Sequence, residues 1–329
     1  MPNLPALPTA FQRCPARLAT AWLVLALASG SALAGPIRDA LEARRAARAE
    51  PTAASSFMPP GATLQRDLPY GRDPAQRMDV YLPRPGGAGQ PPVVVMVHGG
   101  AWRKGDKAHT AVVDNKVAHW VGQGWVLVSI NYRMQVGTTP LVQAQDVATA
   151  LAAVQTQAPR WGADAQRLVL MGHSAGAHLA ALLAANPALA ARYGVSPWLG
   201  TVSLDSAALD IEEVMGRRHF GFYDEPFGSD PALWRATSPQ AQLVAGAAPL
   251  LLVCSSQRPD ACPAADKFKA KADSLAVRAQ VLPMDLSHQH INQNLGLASG
   301  SDARYTEAVD AFVRSLAPSL AQHLPAAGR

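Results

Sequence analysis

The chain has 329 residues, 49% of them hydrophobic and 16% charged, which excludes a disordered chain and leaves ample material for a large core. The formal net charge is only +5, and Lys and Arg are scattered without a basic stripe, which argues against a nucleic-acid partner. No stretch is of low complexity and no repeat of fixed period is visible.

Residues 1–34 carry Arg13 and Arg17, no acidic residue, an apolar run from Leu18 to Ala28, and a small-residue ending at Ala32-Leu33-Ala34. This layout predicts a secretory signal peptide cleaved after Ala34. The apolar run falls short of the ~20 residues that span a bilayer. No adjacent arginine pair precedes it, which favours the general secretion route over the twin-arginine route. Cys14 lies before the apolar run, without a lipid-attachment context. The expectation is an exported protein, periplasmic or extracellular, with no stable membrane insertion after cleavage. Residues 35–62 read as a flexible segment. Arg44, Arg45 and Arg48 cluster there among alanines and acidic residues before Pro51, the pattern of a solvated tether. A catalytic-size domain is expected over 63–320.

Strand patterns fall at Val93–Val97, Val126–Ile130, Leu168–Met171, Thr201–Leu204, Leu250–Val253 and Gln280–Met284. Helical patterns lie between them, at Leu141 to Ala158, Ala175 to Ala185, Lys267 to Leu275 and Ala303 to Leu316. The second is apolar nearly all round, which predicts a buried helix. Two short strand-like pieces in 64–82 suggest an antiparallel entry. The alternation gives an α/β fold class, a mostly parallel central sheet with helices on both faces. Such sheets bind ligands at the carboxyl ends of their strands. The residues that follow the apolar runs are therefore the candidates for chemistry.

Gly172-His173-Ser174-Ala175-Gly176 stands between a strand and a helix. A serine there occupies a sharp turn that needs small neighbours, and its hydroxyl projects into the cleft as a nucleophile. His98-Gly99-Gly100-Ala101-Trp102 follows another strand, and its backbone N–H groups can approach an oxyanion. Gly100, Ala101 and Ala175 are the candidate oxyanion-hole donors. His98 is expected to brace the loop. Trp102 either lines the leaving-group side or packs beneath the loop. The acid and the base must follow the serine in that order. Asp260, in the loop after Leu250–Val253, is the candidate acid; Asp266 lies inside the next helical pattern. His288, in the loop after Gln280–Met284, is the candidate base in preference to His290. Asp205, after Thr201–Leu204, is expected to brace its own loop. Cys254 and Cys262, an even pair in an exported chain, are expected to form a disulfide.

The HGGAW loop, the GHSAG turn, the SINYR strand end and the SHQHIN segment resemble the α/β-hydrolase superfamily, specifically its serine esterase and lipase branch with an HGG oxyanion motif, near the carboxylesterase and arylformamidase-like proteins. The resemblance covers about residues 64–318. It implies an α/β-hydrolase fold, with Ser174 as nucleophile, Asp260 as acid, His288 as base, and Gly100, Ala101 and Ala175 at the oxyanion. One residue departs from the pattern: Ala101 stands where the lipase-type motif has a third glycine. The residue keeps its N–H but leaves less room for bulky substituents. The implied mechanism uses no metal or organic cofactor, and the histidines show no metal-ligand spacing.

Residues 206–246 form a long insertion with Phe220, Phe222, Tyr223, Phe227 and Trp234. It reads as a small cap over the cleft, or as ordinary packing of an excursion. Trp102, Phe222 and Tyr223 are the candidate substrate-binding residues. The expected partner is a small-molecule ester with a short acyl or aryl group. An arylformamidase-type amide hydrolase and a catalytically silent binding protein on the same scaffold are the alternatives. The sequence fixes no oligomeric state.

Overall fold

The computed structural model describes residues 57–87 and 89–324. The expected signal peptide, and residues 35–56 of the segment expected to be flexible, lie outside the described residues. Eight strands form one sheet: β1 (Thr63–Pro69), β2 (Arg77–Leu82), β3 (Val93–Val97), β4 (Val126–Ile130), β5 (Leu168–His173), β6 (Gly200–Leu204), β7 (Leu250–Ser255) and β8 (Ala279–Met284). Their order is β1-β2-β4-β3-β5-β6-β7-β8. β2 pairs antiparallel with both β1 and β4, and all other pairs are parallel.

The sequences of the central strands explain their position. VVVMV in β3 and VLVSI in β4 are unbroken, largely β-branched runs, buried at every residue, as a parallel strand covered on both faces must be. The edges are different. β1 is largely exposed and carries Arg66 and Asp67 beside a register irregularity, and β8 carries Pro283. Charge, a bulge and proline all discourage pairing with another chain.

The helices are α1 (Thr110–Lys116), α2 (Pro140–Gln157), α3 (Ala175–Ala185), α4 (Pro187–Ala191), α5 (Ile211–Gly216), α6 (Asp224–Phe227), α7 (Pro231–Ala236), α8 (Pro239–Gln242), α9 (Ala261–Ser274), α10 (His288–Gln293) and α11 (Gly300–Arg314). On one face of the sheet the core is built with α2, α3 and α9. On the other it is built with α1, α10 and α11. α3 is buried along its whole length. α2 starts where its sequence says it should: Thr139 Oγ1 accepts from the Val142 N–H, and Pro140 takes the first helical position, where its missing N–H costs nothing.

Two helices depart from the sequence pattern. α9 begins at Ala261, six residues before the apolar pattern does, because Pro263 is tolerated in a first turn. α10 begins at His288 itself, which the sequence places in a loop. Ser287 Oγ accepts from the His290 N–H and so starts a short helix there. Residues 206–246 hold the four short helices α5 to α8. Asp210, Asp230 and Ser238 cap three of them, and Ile211, Val214 and Phe227 are buried in the core beside α3. No helix among the described residues is long and apolar enough to cross a membrane.

Candidate active site

Ser174 stands between β5 and α3 with φ 55° and ψ −118°, a left-sided conformation that a non-glycine residue adopts only when its surroundings force it. Three observations show what forces it. A Cβ on Gly172 would run into the carbonyl of Gly176, and one on Gly176 would run into those of Val97 and His98. The turn is therefore pressed between its own helix and the end of β3. The Ser174 N–H donates to the Leu204 carbonyl at 2.9 Å, which ties the turn to β6.

The 98–102 loop lies directly on this turn. A Cβ at Gly99 would sit 2.8 Å from Ser174 Cβ. Gly100, Ala101 and Trp102 have φ values of 125°, 52° and 60°, and several contacts offset that strain. The His98 ring stacks on Tyr132 at 4.6 Å, and Tyr132 Oη donates to the His98 carbonyl at 3.0 Å. Gln143 Nε2 donates to the Trp102 carbonyl at 2.6 Å. The indole Nε1 of Trp102 donates to His178 Nδ1 at 3.1 Å. His178 Nε2 in turn faces the Thr237 carbonyl at 2.7 Å. A carbonyl only accepts, so Nε2 carries the proton and Nδ1 is free to accept. Burial pushes the His178 imidazolium down to about 4, which keeps this tautomer neutral. One buried imidazole on α3 thus connects the 98–102 loop to the 206–246 insertion.

His288, half-buried, is held from both sides. Its Nδ1 lies 2.5 Å from Asp205 Oδ2. Its carbonyl accepts from His173 Nε2 at 3.0 Å, and the two rings lie 4.6 Å apart. Burial first, and then proximity to His288, push the His173 imidazolium well below its ordinary range, so His173 acts as a neutral donor. Asp205 follows β6 at φ 56° and is fully buried. Its Oδ1 accepts from the Ser255 N–H at 2.8 Å and its Oδ2 from Arg258 Nη1 at 2.9 Å. Burial alone would raise the Asp205 carboxyl. The hydrogen bond and charge of His288, the Arg258 guanidinium and the Ser255 N–H outweigh burial and hold it well below the usual carboxylate range.

The C-terminal end of α10 is anchored by donors from other helices. Lys116 Nζ donates to the Asn292 carbonyl at 2.5 Å, Asn115 Nδ2 to that of Gln293 at 2.6 Å, and Tyr305 Oη to that of Ile291 at 2.9 Å. These bonds satisfy carbonyls that a helix end leaves without partners. Lys116 is only 1% exposed, and burial pushes its ammonium down to about 7. An unfolded lysine keeps its proton to about 10.4. Between those values the unfolded chain binds more protons than the folded one, so stability rises with pH. The expected result is that unfolding free energy measured in urea climbs from pH 7 to pH 10 more steeply in the native protein than in Lys116→Met. Equal slopes would show that Lys116 titrates as an exposed lysine.

The chain is similar to several known proteins. A family model described as BD-FAE matches residues 78–193. Esterase LipQ of Mycobacterium tuberculosis is 30% identical over 211 residues, 60% of this chain and 50% of that protein. Esterase LipC of the same organism is 35% identical over 118 residues, 36% of this chain and 29% of that protein. A probable isoprenylcysteine alpha-carbonyl methylesterase of Arabidopsis thaliana is 33% identical over 118 residues, 36% of this chain and 24% of that protein. The matched segments thus span between a quarter and a half of these relatives. Among solved structures, Esterase B of Lactobacillus rhamnosis superposes with a TM-score of 0.66 at 20% identity, covering 87% of this chain and 94% of that one. Thermogutta terrifontis esterase 2 superposes with a TM-score of 0.63 at 20% identity, covering 84% and 100%. The chain has the α/β-hydrolase fold of these esterases.

Within that α/β-hydrolase frame the structure brings together Ser174, the 98–102 loop, His173, His288 and Asp205. It does not bring Asp260 to His288, which corrects the sequence reading. Asp260 stands just before α9, and its carboxylate faces Arg258 Nη2 at 3.4 Å. The Nη1 of the same guanidinium faces Asp205 and His288. Asp205, expected only to brace its loop, is the carboxylate in contact with the imidazole. Its position immediately after an apolar strand, on the rim that holds Ser174, was the available signal. His290 is exposed on α10.

Two of the three candidate substrate-binding residues also move role. Trp102 and Tyr223 are only 4% and 5% exposed, and they pack against each other at 5.5 Å and against Phe227. They join the loop to the insertion and present little surface to a ligand. Phe222 is half-buried, 4.4 Å from Tyr223, and stacks on exposed Phe220 at 5.7 Å. Arg103 and Glu225 add an ion pair at 2.9 Å between loop and insertion. Cys254 and Cys262 are joined in a disulfide.

Proposed function

We propose that this protein is an exported serine hydrolase that cleaves carboxylic esters with short acyl or aryl groups. The contact of His288 Nδ1 with buried Asp205, on the rim that holds the strained Ser174, carries this reading. Nδ1 donates to Asp205, which leaves Nε2 as the basic nitrogen. His288 takes the Ser174 proton as Oγ attacks the ester carbonyl, and Asp205 fixes the tautomer and stabilises the imidazolium. The N–H groups of Gly100, Ala101 and Ala175 receive the negative oxygen; one such donor is worth about 3 kcal/mol. The imidazolium then protonates the leaving alcohol. Water, activated by the same imidazole, releases the acid from the acyl-enzyme.

The relatives support this chemistry. Esterase B of Lactobacillus rhamnosis is known with a C4-C4 tributyrin phosphonate, and Thermogutta terrifontis esterase 2 is known phosphonylated by sarin. The substrate class is supported by half-buried Phe222 stacked on exposed Phe220 at 5.7 Å, an apolar surface suited to a compact acyl or aryl group. Export is supported by the layout of residues 1–34 and by a disulfide that needs an oxidising compartment to persist.

A panel of p-nitrophenyl and aryl esters on the purified protein tests the proposal. Acetate, butyrate and aryl esters are expected to turn over, with the palmitate ester slow. A protein that hydrolyses no ester on the panel would contradict the proposal.

A further inference from the structure

We infer that Arg258 is a positioning residue for Asp205, and that the Cys254–Cys262 disulfide closes the loop that holds it in place. The inference rests on the reading of Ser174, His288 and Asp205 as the working site. Between β7 and α9 the chain sends a guanidinium, and not a carboxylate, toward the imidazole. Arg258 Nη1 lies 2.9 Å from Asp205 Oδ2, 3.4 Å from the Asp205 carbonyl and 3.2 Å from His288 Nδ1. Because Nδ1 carries the proton it gives to Asp205, it has no lone pair for the guanidinium. The hydrogen bond of Nη1 therefore goes to the carboxylate. Oδ2 receives both the imidazole and the guanidinium, and Oδ1 receives the Ser255 N–H. Three donors fix the plane of a carboxylate that would otherwise rotate about its last bond.

The charge matters as well. Asp205 is fully buried, and a buried carboxylate is costly unless paired. Arg258, with a side chain 15% exposed, supplies that pairing with a guanidinium that never loses its proton. Nη2 reaches Asp260 at 3.4 Å, so the carboxylate expected as the acid steadies the far side of the guanidinium.

The first half of the loop is tied to the end of β8, by Ser256 N–H to the Met284 carbonyl at 2.9 Å and Gln257 Nε2 to Asp285 Oδ1 at 3.0 Å. Ser256, Gln257 and Pro259 are exposed, and the turn that presents Arg258 rests on Arg258 N–H to Ser255 carbonyl at 3.3 Å and Gln257 N–H to Ser255 Oγ at 3.3 Å. Cys254 is a buried residue of β7, and Cys262 is in the first turn of α9. Their bond pins both ends of the segment that presents Arg258. A loop this short gains only modest global stability from closure, so the consequence falls on geometry.

The test uses the full chain and p-nitrophenyl butyrate. Arg258→Ala is expected to lower kcat by about 10²-fold, the scale of a misplacement near 1 Å, with KM little changed. Arg258→Lys should recover part of that loss, and millimolar guanidinium should partly restore Arg258→Ala. Should Arg258→Ala fail to fold, Arg258→Gln, neutral and of similar reach, gives the same reading. The Cys254→Ser/Cys262→Ser variant should also lose kcat, and adding Arg258→Ala to it should cost less than the product of the separate losses, because both act through one contact. Native kcat in Arg258→Ala or Arg258→Gln, or losses that multiply in full, would overturn the inference. Retained activity in Ser174→Ala would instead remove the reading beneath it.

Discussion

Asp205→Asn is expected to lower kcat by about 10⁴-fold, the scale reached when the carboxylate behind a catalytic histidine becomes an amide, while Asp260→Asn stays within about tenfold of the native protein by the smaller cost of a displaced partner. The reason is the proton. Asp205 Oδ2 accepts from His288 Nδ1 at 2.5 Å, which leaves Nε2 basic. An amide nitrogen in that place would donate, and would favour the tautomer with its proton on the wrong nitrogen. The Asp260 carboxylate faces the guanidinium that supports Asp205. A second readout separates the two residues. The Asp205 carboxyl is held well below its ordinary range: burial opposes ionisation, but His288, Arg258 and the Ser255 N–H prevail. Its contribution to stability is therefore present above about pH 4, the unfolded value, and is lost as pH falls below it. Asp205→Asn should flatten the acid side of the stability curve. Steady-state kinetics with urea titrations at several pH values check both outcomes. A reversed ranking of the two asparagine variants would return the acid to Asp260.

Ser174→Ala is expected to remove ester hydrolysis almost entirely, by about 10⁶-fold, because nucleophile and base act as one unit and the loss of either is nearly the loss of both. The fold should survive. The turn is shaped by Gly172, Gly176 and the end of β3, and an alanine is no worse at φ 55° than a serine. A melting curve beside the rate measurement separates chemistry from structure. Retention of more than a trace of the native rate would place the nucleophile elsewhere.

The parallel strands were legible because burial on both faces demands apolar runs, and VVVMV, VLV and LVLM are such runs. The turn at Ser174 and the 98–102 loop were legible because small residues at fixed spacing after a strand have few other uses. The acid was not. Asp205 and Asp260 both follow strands on the same rim, and only the paths of the loops choose between them. Asp260 carried a competing signal: an aspartate followed by proline three residues on reads as a helix start, and α9 begins there. Asp205 turns under the imidazole through φ 56°, which no periodicity encodes. The aromatic residues misled for a similar reason. Composition shows that 206–246 is aromatic, but which rings face the cleft depends on how four short helices fold back against α3. Lys116 gave no signal, since a lysine that serves the carbonyls of a distant helix looks in sequence like any surface lysine.

Covalent labelling with a fluorophosphonate tests the central claim most directly, because it reads the serine, its base and its acid in one reaction without a substrate having to be known. The account predicts a single adduct on Ser174, found by peptide mass spectrometry, formed within about tenfold of the native rate in Asp260→Asn and far more slowly in Asp205→Asn and His288→Ala. An adduct on another residue, no adduct at all, or slow labelling in Asp260→Asn with native labelling in Asp205→Asn would contradict it.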